Sequence, residues 1–239
     1  MALTIAAYPP FRDEAASLNA SLEQLPDVVK SLVSDTGDFF SPAGYMSSQV
    51  YYLVLPIVLA ILAIGLGSSL LARDEESHTL ELLLSRPVSR GRVLAAKALV
   101  GLCVLGIVTA VTLVTTLIGA GMINLGLAVQ DIVNATLMAA LLALLFGALA
   151  FMLTAMGSAL RAASIGLSAL VMLGSYLMTS LSSTVAWMET PSKFLPYHYY
   201  HPADLLAGDF IARDAIGLGA VAVAFGIISY VAFRRRDIA

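Results

Sequence analysis

The sequence predicts an all-α, polytopic membrane protein, and three observations support this fold class. Hydrophobic residues make up 59% of the 239 residues and charged residues only 12%, which is typical of membrane proteins and unusual for soluble domains. Five apolar runs are each long enough to cross a bilayer as a helix, for which about 20 residues are needed. These runs do not alternate between apolar and polar residues, as the strands of a membrane β-barrel would.

The apolar runs divide the chain into membrane helices and the segments that join them. Helices are predicted over 51–72, 94–119, 132–160, 163–186 and 215–233. A single transmembrane domain therefore covers residues 1–239. A charged segment, 73–93, joins the first two helices, and a longer loop, 187–214, joins the last two.

The basic residues predict the orientation of the chain. If the helices simply alternate, nine of the 13 Lys and Arg fall on one face: Arg73, Arg86, Arg90, Arg92, Lys97, Arg161, Arg234, Arg235 and Arg236. The other four fall on the opposite face: Arg12, Lys30, Lys193 and Arg213. The positive-inside rule then places the charged segment and the C-terminus in the cytoplasm. We expect a multi-pass protein of the cytoplasmic (inner) membrane of a prokaryote.

The N-terminal segment, 1–49, is predicted to lie outside the cytoplasm, although no signal peptide precedes it. Residues 1–8 resemble the end of a further membrane helix, so we expect a first helix to be missing from this chain. An amphipathic helix is predicted around 17–33, on the outer membrane face or packed on the bundle. Residues 38–45 are predicted to form a turn that returns the chain to the membrane.

The composition of the spans excludes several ways of doing work or chemistry. No ionisable group lies at membrane depth to relay protons. The G-x-x-x-x-G-K-[ST] motif is absent, so the chain is not expected to hydrolyse ATP itself. A single cysteine, Cys103, excludes two-cysteine metal and redox motifs. Energy for any work is therefore expected from a partner protein.

The charged segment combines acidic residues, an apolar face and a proline. Three acidic residues, 74–76, precede a leucine-rich run, 79–85, and Pro87 follows it. The leucines that share one face are Leu80, Leu83 and Leu84. Acids at the start and arginines at the end suit the helix dipole. The pattern predicts a short helix on the cytoplasmic surface, and the simpler alternative is a solvated loop.

The same segment resembles the signature of ABC-2 type transporter permeases. In that family an acidic pair, a Thr-Leu-Glu helix, Leu-Leu-Ser, a proline and basic residues join the second and third membrane helices. The sequence EESHTLELLLSRPVSR at 75–90 is similar to it, with His78 where the family usually has glycine. The stretches 8–13 and 41–45 resemble a six-span subgroup with a sizeable loop after its first helix. The resemblance implies the six-helix permease fold without its first helix.

The resemblance implies a function, which is that of the permease subunit of an ABC exporter. The segment would be the coupling helix, and its contacts to the ATPase would be Glu75, Glu76, Thr79, Leu80, Glu81, Leu83, Leu84, Pro87 and Arg90. The implied partners are cytoplasmic ABC ATPase subunits, which bind ATP and Mg²⁺, and a second permease subunit, identical or related. Besides these and the lipid bilayer, we expect no nucleic acid and no cofactor on this chain. The alternative is a non-transporting membrane scaffold or assembly factor whose charged loop recruits a soluble protein.

A polar stripe on the fourth predicted helix is a candidate substrate path. Its residues are Ser168, Met172, Ser175, Tyr176, Thr179 and Ser183. A shorter stripe on the second helix contains Thr109, Thr112 and Thr116. The simpler explanation of both stripes is that the hydroxyls bond to their own helix backbone.

The second outer loop contains two histidines and several aromatic residues. His198 and His201 could share a helical face, but two ligands without a nearby acid or thiol make a weak metal site. We expect them to pack at the membrane interface with Trp187 and the neighbouring tyrosines. No catalytic, cofactor-binding or metal-binding residue is predicted.

Overall fold

The fold is a bundle of membrane-length helices. The computed structural model describes residues 26–33, 41–76, 89–123, 125–157 and 161–235, and every regular element in these ranges is a helix. Five of the helices are long and apolar enough to cross a membrane. They are α1 (Val54–Glu76), α2 (Arg90–Met122), α3 (Val129–Met156), α4 (Arg161–Leu181) and α5 (Ala212–Arg235). The predicted all-α fold with five spans is confirmed. The predicted remnant helix at 1–8 lies outside the described residues.

The helices around the charged segment extend further than hydropathy predicts. α1 continues past Ala72 to Glu76, and α2 begins at Arg90 rather than Leu94. With 33 residues, α2 is about 50 Å long, whereas the hydrocarbon core of a bilayer is about 30 Å thick. α2 is therefore longer than a span of the hydrocarbon core requires. Hydropathy locates the apolar part of a span, but backbone hydrogen bonding continues beyond it.

Two other helices end earlier than predicted. α3 ends at Met156 rather than Leu160, and α4 ends at Leu181 rather than Ala186. Gly157, with an extended backbone, terminates α3. Apolar residues recur beyond both ends, at Ala159 and Leu160 and at Val185 and Ala186, which is why composition alone placed the ends too late.

α3 is the central helix and packs against the other four long helices. Of its most apolar stretch, 56% is buried inside the protein, compared with 11% for α2. α3 approaches α1 closely because Gly147 and Gly67 lie where the two helices cross. A Cβ atom at Gly147 would lie only 2.8 Å from the Cβ atom of Ala63. Small residues allow membrane helices to pack backbone against backbone, and Gly147 has this role at the crossing with α1.

The two ends of the bundle differ in composition. At one end the last turns of α1, α3 and α5 meet the first turns of α2 in a buried cluster: Leu71, Leu94, Phe151, Ala155 and Phe233. We call this the basic end, because Arg92, Arg234 and Arg235 lie in the same turns. At the opposite end, the aromatic end, buried tyrosines belong to the main core: Tyr45, Tyr51, Tyr52, Tyr176, Tyr197 and Tyr200. The α1–α2 connection and the end of α5 therefore lie on one face, as simple alternation predicts.

Short helices before α1 lie at the aromatic end. A helix at Pro42–Met46 passes into a π-helix at Ser47–Tyr51, which leads into α1. The Ser41 hydroxyl caps the first of them by accepting a hydrogen bond from the Gly44 N–H at 3.0 Å. The turn predicted over 38–45 is therefore wrong for residues 42–45, which are helical. Serine followed by proline is a helix start as well as a turn signal.

The loop between α4 and α5 consists of short pieces, as its prolines predict. They are 3₁₀-helices at Ala186–Met188 and Pro196–Tyr199 and α-helices at Glu189–Ser192 and Pro202–Leu206. A helix at Asp27–Val33, the described part of the amphipathic helix predicted around 17–33, contacts α4 at this end. This part of the predicted helix packs on the bundle.

Candidate functional site

The predicted coupling segment joins the two helices that meet at the basic end. Glu75 and Glu76 are the last residues of α1, and Arg90 is the first residue of α2. The other predicted contact residues lie outside the described residues: Thr79, Leu80, Glu81, Leu83, Leu84 and Pro87. Leu71 and Leu94 are buried in one cluster. The helix ends that carry the segment are therefore packed against each other.

The same cluster connects these helix ends to the rest of the bundle. Phe151 of α3 and Phe233 of α5 are buried beside Leu71 and Leu94. Because protein interiors are close-packed and transmit strain, a displacement of the segment would act on four of the five long helices.

The polar stripe of α4 faces the interior of the protein over most of its length. Four of its residues are buried: Ser168, Met172, Ser175 and Tyr176. Thr179 is half-buried, and Ser183 is exposed in the turn after Leu181, so its predicted place on this helix is wrong. α4 packs against α3 and α1, so the stripe lies largely inside the bundle of this chain. Its use as a substrate path stays a prediction.

Two members of the stripe bind other elements of the aromatic end. The Ser175 hydroxyl accepts a hydrogen bond from the Tyr197 N–H at 2.9 Å. The Tyr176 hydroxyl donates to the backbone carbonyl of Leu32. These bonds attach the α4–α5 loop and the helix at 27–33 to α4, so both side chains have a structural role.

Two other hydroxyls of the α4 stripe, those of Ser168 and Thr179, differ from the threonine hydroxyls of α2. On α2, Thr109 and Thr116 donate to backbone carbonyls of their own helix at 2.8 and 2.9 Å, which is the simpler explanation for these two members of that stripe. On α4, the hydroxyl oxygens of Ser168 and Thr179 are buried, and neither has a hydrogen-bond partner in the described part of the chain. Buried hydroxyls are usually paired. These two are therefore the buried hydroxyls of the stripe that have no partner within the described residues.

A set of tyrosine hydrogen bonds around Pro56 was missed by sequence reasoning. Proline has no N–H, so Pro56 cannot bond to the carbonyl of Tyr52 four residues earlier. The hydroxyl of Tyr197, from the α4–α5 loop, donates to that carbonyl instead. The Tyr200 hydroxyl donates to the neighbouring carbonyl of Tyr51 at 2.8 Å. Hydroxyl groups of the α4–α5 loop thus bond to the backbone carbonyls at the helix break, which need partners at membrane depth.

The tyrosine rings at this break also pack against one another. Ring centroids lie 5.8 Å apart for Tyr52 and Tyr176, 5.3 Å for Tyr176 and Tyr197, and 5.7 Å for Tyr197 and Tyr200. All three pairs are edge to face, which is a favourable arrangement. A proline inside a span and a tyrosine-rich loop were visible in the sequence. Which tyrosine reaches which carbonyl was not visible, because the bonded residues Tyr52 and Tyr197 are 145 positions apart.

The two histidines of the outer loop pack with their aromatic neighbours. Their ring centroids lie 6.1 Å apart, and His198 also packs edge to face on Tyr199. Burial lowers the pKa of His198, the charges of His201 and Lys193 lower it further, and Asp214 acts in the opposite direction. Over the described ranges, no three His, Cys, Asp or Glu residues come together in a way that could hold a metal ion.

Comparison with known proteins shows the family of this chain. A family model described as ABC-2 family transporter protein matches residues 2–238. No curated protein and no solved structure matches the chain. The match covers almost the whole sequence, including the charged segment and both ends of the bundle.

Proposed function

Because this chain belongs to the ABC-2 family of transporter proteins, we propose that it is the membrane-spanning permease subunit of an ATP-binding cassette exporter. It moves a substrate across the cytoplasmic membrane of a prokaryote with ATP that a separate subunit hydrolyses. The five apolar helices make it a multi-pass membrane protein. Its sequence lacks a P-loop, so we expect ATP and Mg²⁺ to bind the partner subunit.

The observation that best supports this proposal is the arrangement of the basic end. The coupling segment is anchored on α1 and α2, and the buried cluster beneath it includes side chains of α3 and α5. An ATPase that docks on the segment would therefore act on a packed unit and not on a free loop. This is the arrangement that a permease without its own energy source needs.

α1 is the element that would carry the motion to the opposite face. Near the basic end it is in close contact with α3 at Gly67 and Gly147. At the aromatic end Pro56 lies in its first turn, and Tyr197 and Tyr200 of the α4–α5 loop bond to the carbonyls of Tyr52 and Tyr51, just before α1. π-helical turns and prolines are frequent places of bending in helices. We propose that the part of α1 between Pro56 and the basic end moves as a rigid helix, and that the chain bends near Pro56.

The proposed assembly contains two permease subunits, identical or related, and two cytoplasmic ATPases. The basic end faces the cytoplasm under the positive-inside rule, because Arg92, Arg234 and Arg235 lie there. The C-terminus is then cytoplasmic, and the aromatic end faces outward. No feature of the sequence suggests a nucleic acid partner.

The α4 stripe is the proposed place for contact with the substrate. The buried hydroxyls of Ser168 and Thr179 are without partners in the described residues, so they can bind a polar group without breaking an existing bond. Because most of the stripe is buried within one chain, access requires a separation of α4 from its neighbours during transport.

A pull-down from membranes solubilised in mild detergent, analysed by mass spectrometry, tests the proposed function. The first variant combines Glu76→Arg and Leu83→Asp, which change the acidic and apolar faces of the coupling segment. The matched control combines Glu189→Arg and Phe194→Asp at the aromatic end, where Phe194 is 85% exposed. We expect an ABC ATPase to be recovered with the wild type and the control but not with the first variant.

The other outcomes separate the competing interpretations. Recovery of the ATPase with the first variant, but not with the control, would place the contact on the opposite face and contradict the proposed orientation. Absence of any ATPase from all three samples would favour the scaffold or assembly factor.

A further inference from the structure

A deep apolar cavity opens on the side of the bundle between α2 and α5. Its volume is about 620 Å³, and its lining is apolar or glycine apart from Tyr230. α1 and α3 form the inner wall, which includes Gly67 and Gly147. The side chains at the rim that face the bilayer are Leu102, Val223 and Ile227, all largely exposed. We call this cavity the α2–α5 slot.

The slot has the length and direction of a lipid chain in one leaflet. It runs along α2 from Leu94 to Leu105 and along α5 from Gly219 to Tyr230. Each stretch is about 16 Å long, close to half of the roughly 30 Å hydrocarbon core. Both stretches begin within about two turns of the basic ends of their helices, at Leu94 and Tyr230. The slot therefore occupies one leaflet and runs parallel to the chains of its lipids.

Two arginines lie at the headgroup end of the slot. The Tyr230 ring closes this end and packs on Gly91, where a Cβ atom would lie 2.6 Å from the ring. The Arg234 guanidinium lies over the same ring, 5.6 Å from its centroid. Arg92 follows Gly91 and is exposed. Arginine binds phosphate groups through several donors, and basic residues near the membrane surface attract anionic lipids.

We propose that the α2–α5 slot binds one acyl chain of an anionic bilayer phospholipid, whose phosphate binds Arg92 and Arg234. Water is excluded as the occupant because the lining offers almost no polar partner. An empty slot would leave its walls without dispersion contacts. A helix of a second copy is the alternative occupant, and the cysteine experiment below separates it from a lipid chain. A single lipid chain has the shape and the chemistry that this slot accepts.

Native mass spectrometry of the purified chain, titrated with palmitoyl-oleoyl phosphatidylglycerol or phosphatidylcholine, tests this proposal. The two lipids have the same chains, so their difference reports the headgroup. Gly226 lines the slot, and a Cβ atom there meets nothing within 4 Å. Gly226→Leu should fill the slot and weaken phosphatidylglycerol binding by about tenfold. Gly217→Leu is the matched control, because Gly217 is on the same helix, is equally open and lies outside the slot.

The arginines are tested by charge removal. Arg92→Gln with Arg234→Gln should weaken phosphatidylglycerol binding by about tenfold and leave phosphatidylcholine binding unchanged. Arg213→Gln, at the aromatic end, should change neither. Arg92→Gln with Arg234→Gln does not alter the packed lining of the slot. This double variant therefore tests the proposal even where Gly226→Leu fails to fold.

Two results would overturn the proposal. One is equal phosphatidylglycerol binding by the wild type, Gly226→Leu and the double arginine variant. The other is a disulfide between two copies that carry Gly226→Cys in a Cys103→Ser background, which would assign the slot to the interface between permease subunits.

Discussion

Pro56 has no backbone N–H to donate to the Tyr52 carbonyl. The hydroxyl of Tyr197, from the α4–α5 loop, donates to that carbonyl instead. Tyr197→Phe removes the hydroxyl that donates to the Tyr52 carbonyl. Loss of this bond should destabilise the protein by about 1 kcal/mol. In a Pro56→Ala background the N–H of the alanine can bond to the Tyr52 carbonyl. Tyr197→Phe should therefore lower the free energy of unfolding by less in that background. Unfolding in detergent micelles measures both costs.

Tyr199→Phe is the control for this pair, since the Tyr199 hydroxyl donates to the Lys193 carbonyl at an exposed site. We expect no measurable change from it. An equal cost of Tyr197→Phe in the two backgrounds would show that Pro56 and Tyr197 are independent, which contradicts this explanation of the break.

His198 gives the aromatic end a dependence on pH. Burial is the largest of the causes that lower its pKa, so the unfolded chain takes up a proton more readily than the folded chain. The stabilising contribution of the neutral imidazole is complete above about pH 6.5, and it is lost as the pH falls through the lowered pKa of the folded state. We expect the melting temperature to fall more between about pH 7.5 and pH 5.5 in the wild type than in His198→Gln. Parallel decreases in the two proteins would contradict this assignment.

At the scale of helices, the crossing of α1 and α3 has little tolerance for added atoms. A Cβ atom at Gly67 would collide with the Gly147 carbonyl, whereas one at Gly65 would meet nothing within 4 Å. Gly67→Ala should therefore destabilise the protein by about 1–3 kcal/mol. Gly65→Ala, two residues away on the same helix, should be neutral or stabilising because alanine favours helix. Thermal unfolding compares the two, and equal effects would argue against the close crossing.

The existence and type of the five long helices could be predicted because each depends on local composition. Their ends could not, since α1 continues through charged residues to Glu76 and α3 stops at Met156 inside an apolar run. For the α4 stripe, helical spacing placed Ser168 and Ser175 on one face. It could not show that this face is turned into the bundle. That depends on which helices pack around α4, and a single sequence does not contain this information.

At the scale of the whole molecule, the two ends of the bundle are built differently. The basic end has a small apolar cluster that packs four helix ends together. At the aromatic end, tyrosines pack against one another and join the segment just before α1 to α4 and the α4–α5 loop. A force applied at the basic end would therefore reach the aromatic end through α1. The sequence predicted both ends by their composition, but the tyrosine bonds that join α1 to the outer loop were found only in three dimensions.

The most direct test of the central claim is photocrosslinking in intact membranes with benzoylphenylalanine in place of Leu83 or, as the control, of Phe194. The proposed function predicts a crosslinked ABC ATPase from position 83 and none from position 194. An ATPase adduct from position 194 alone would reverse the orientation. Absence of an adduct from both positions would contradict an ATP-driven permease coupled through this segment.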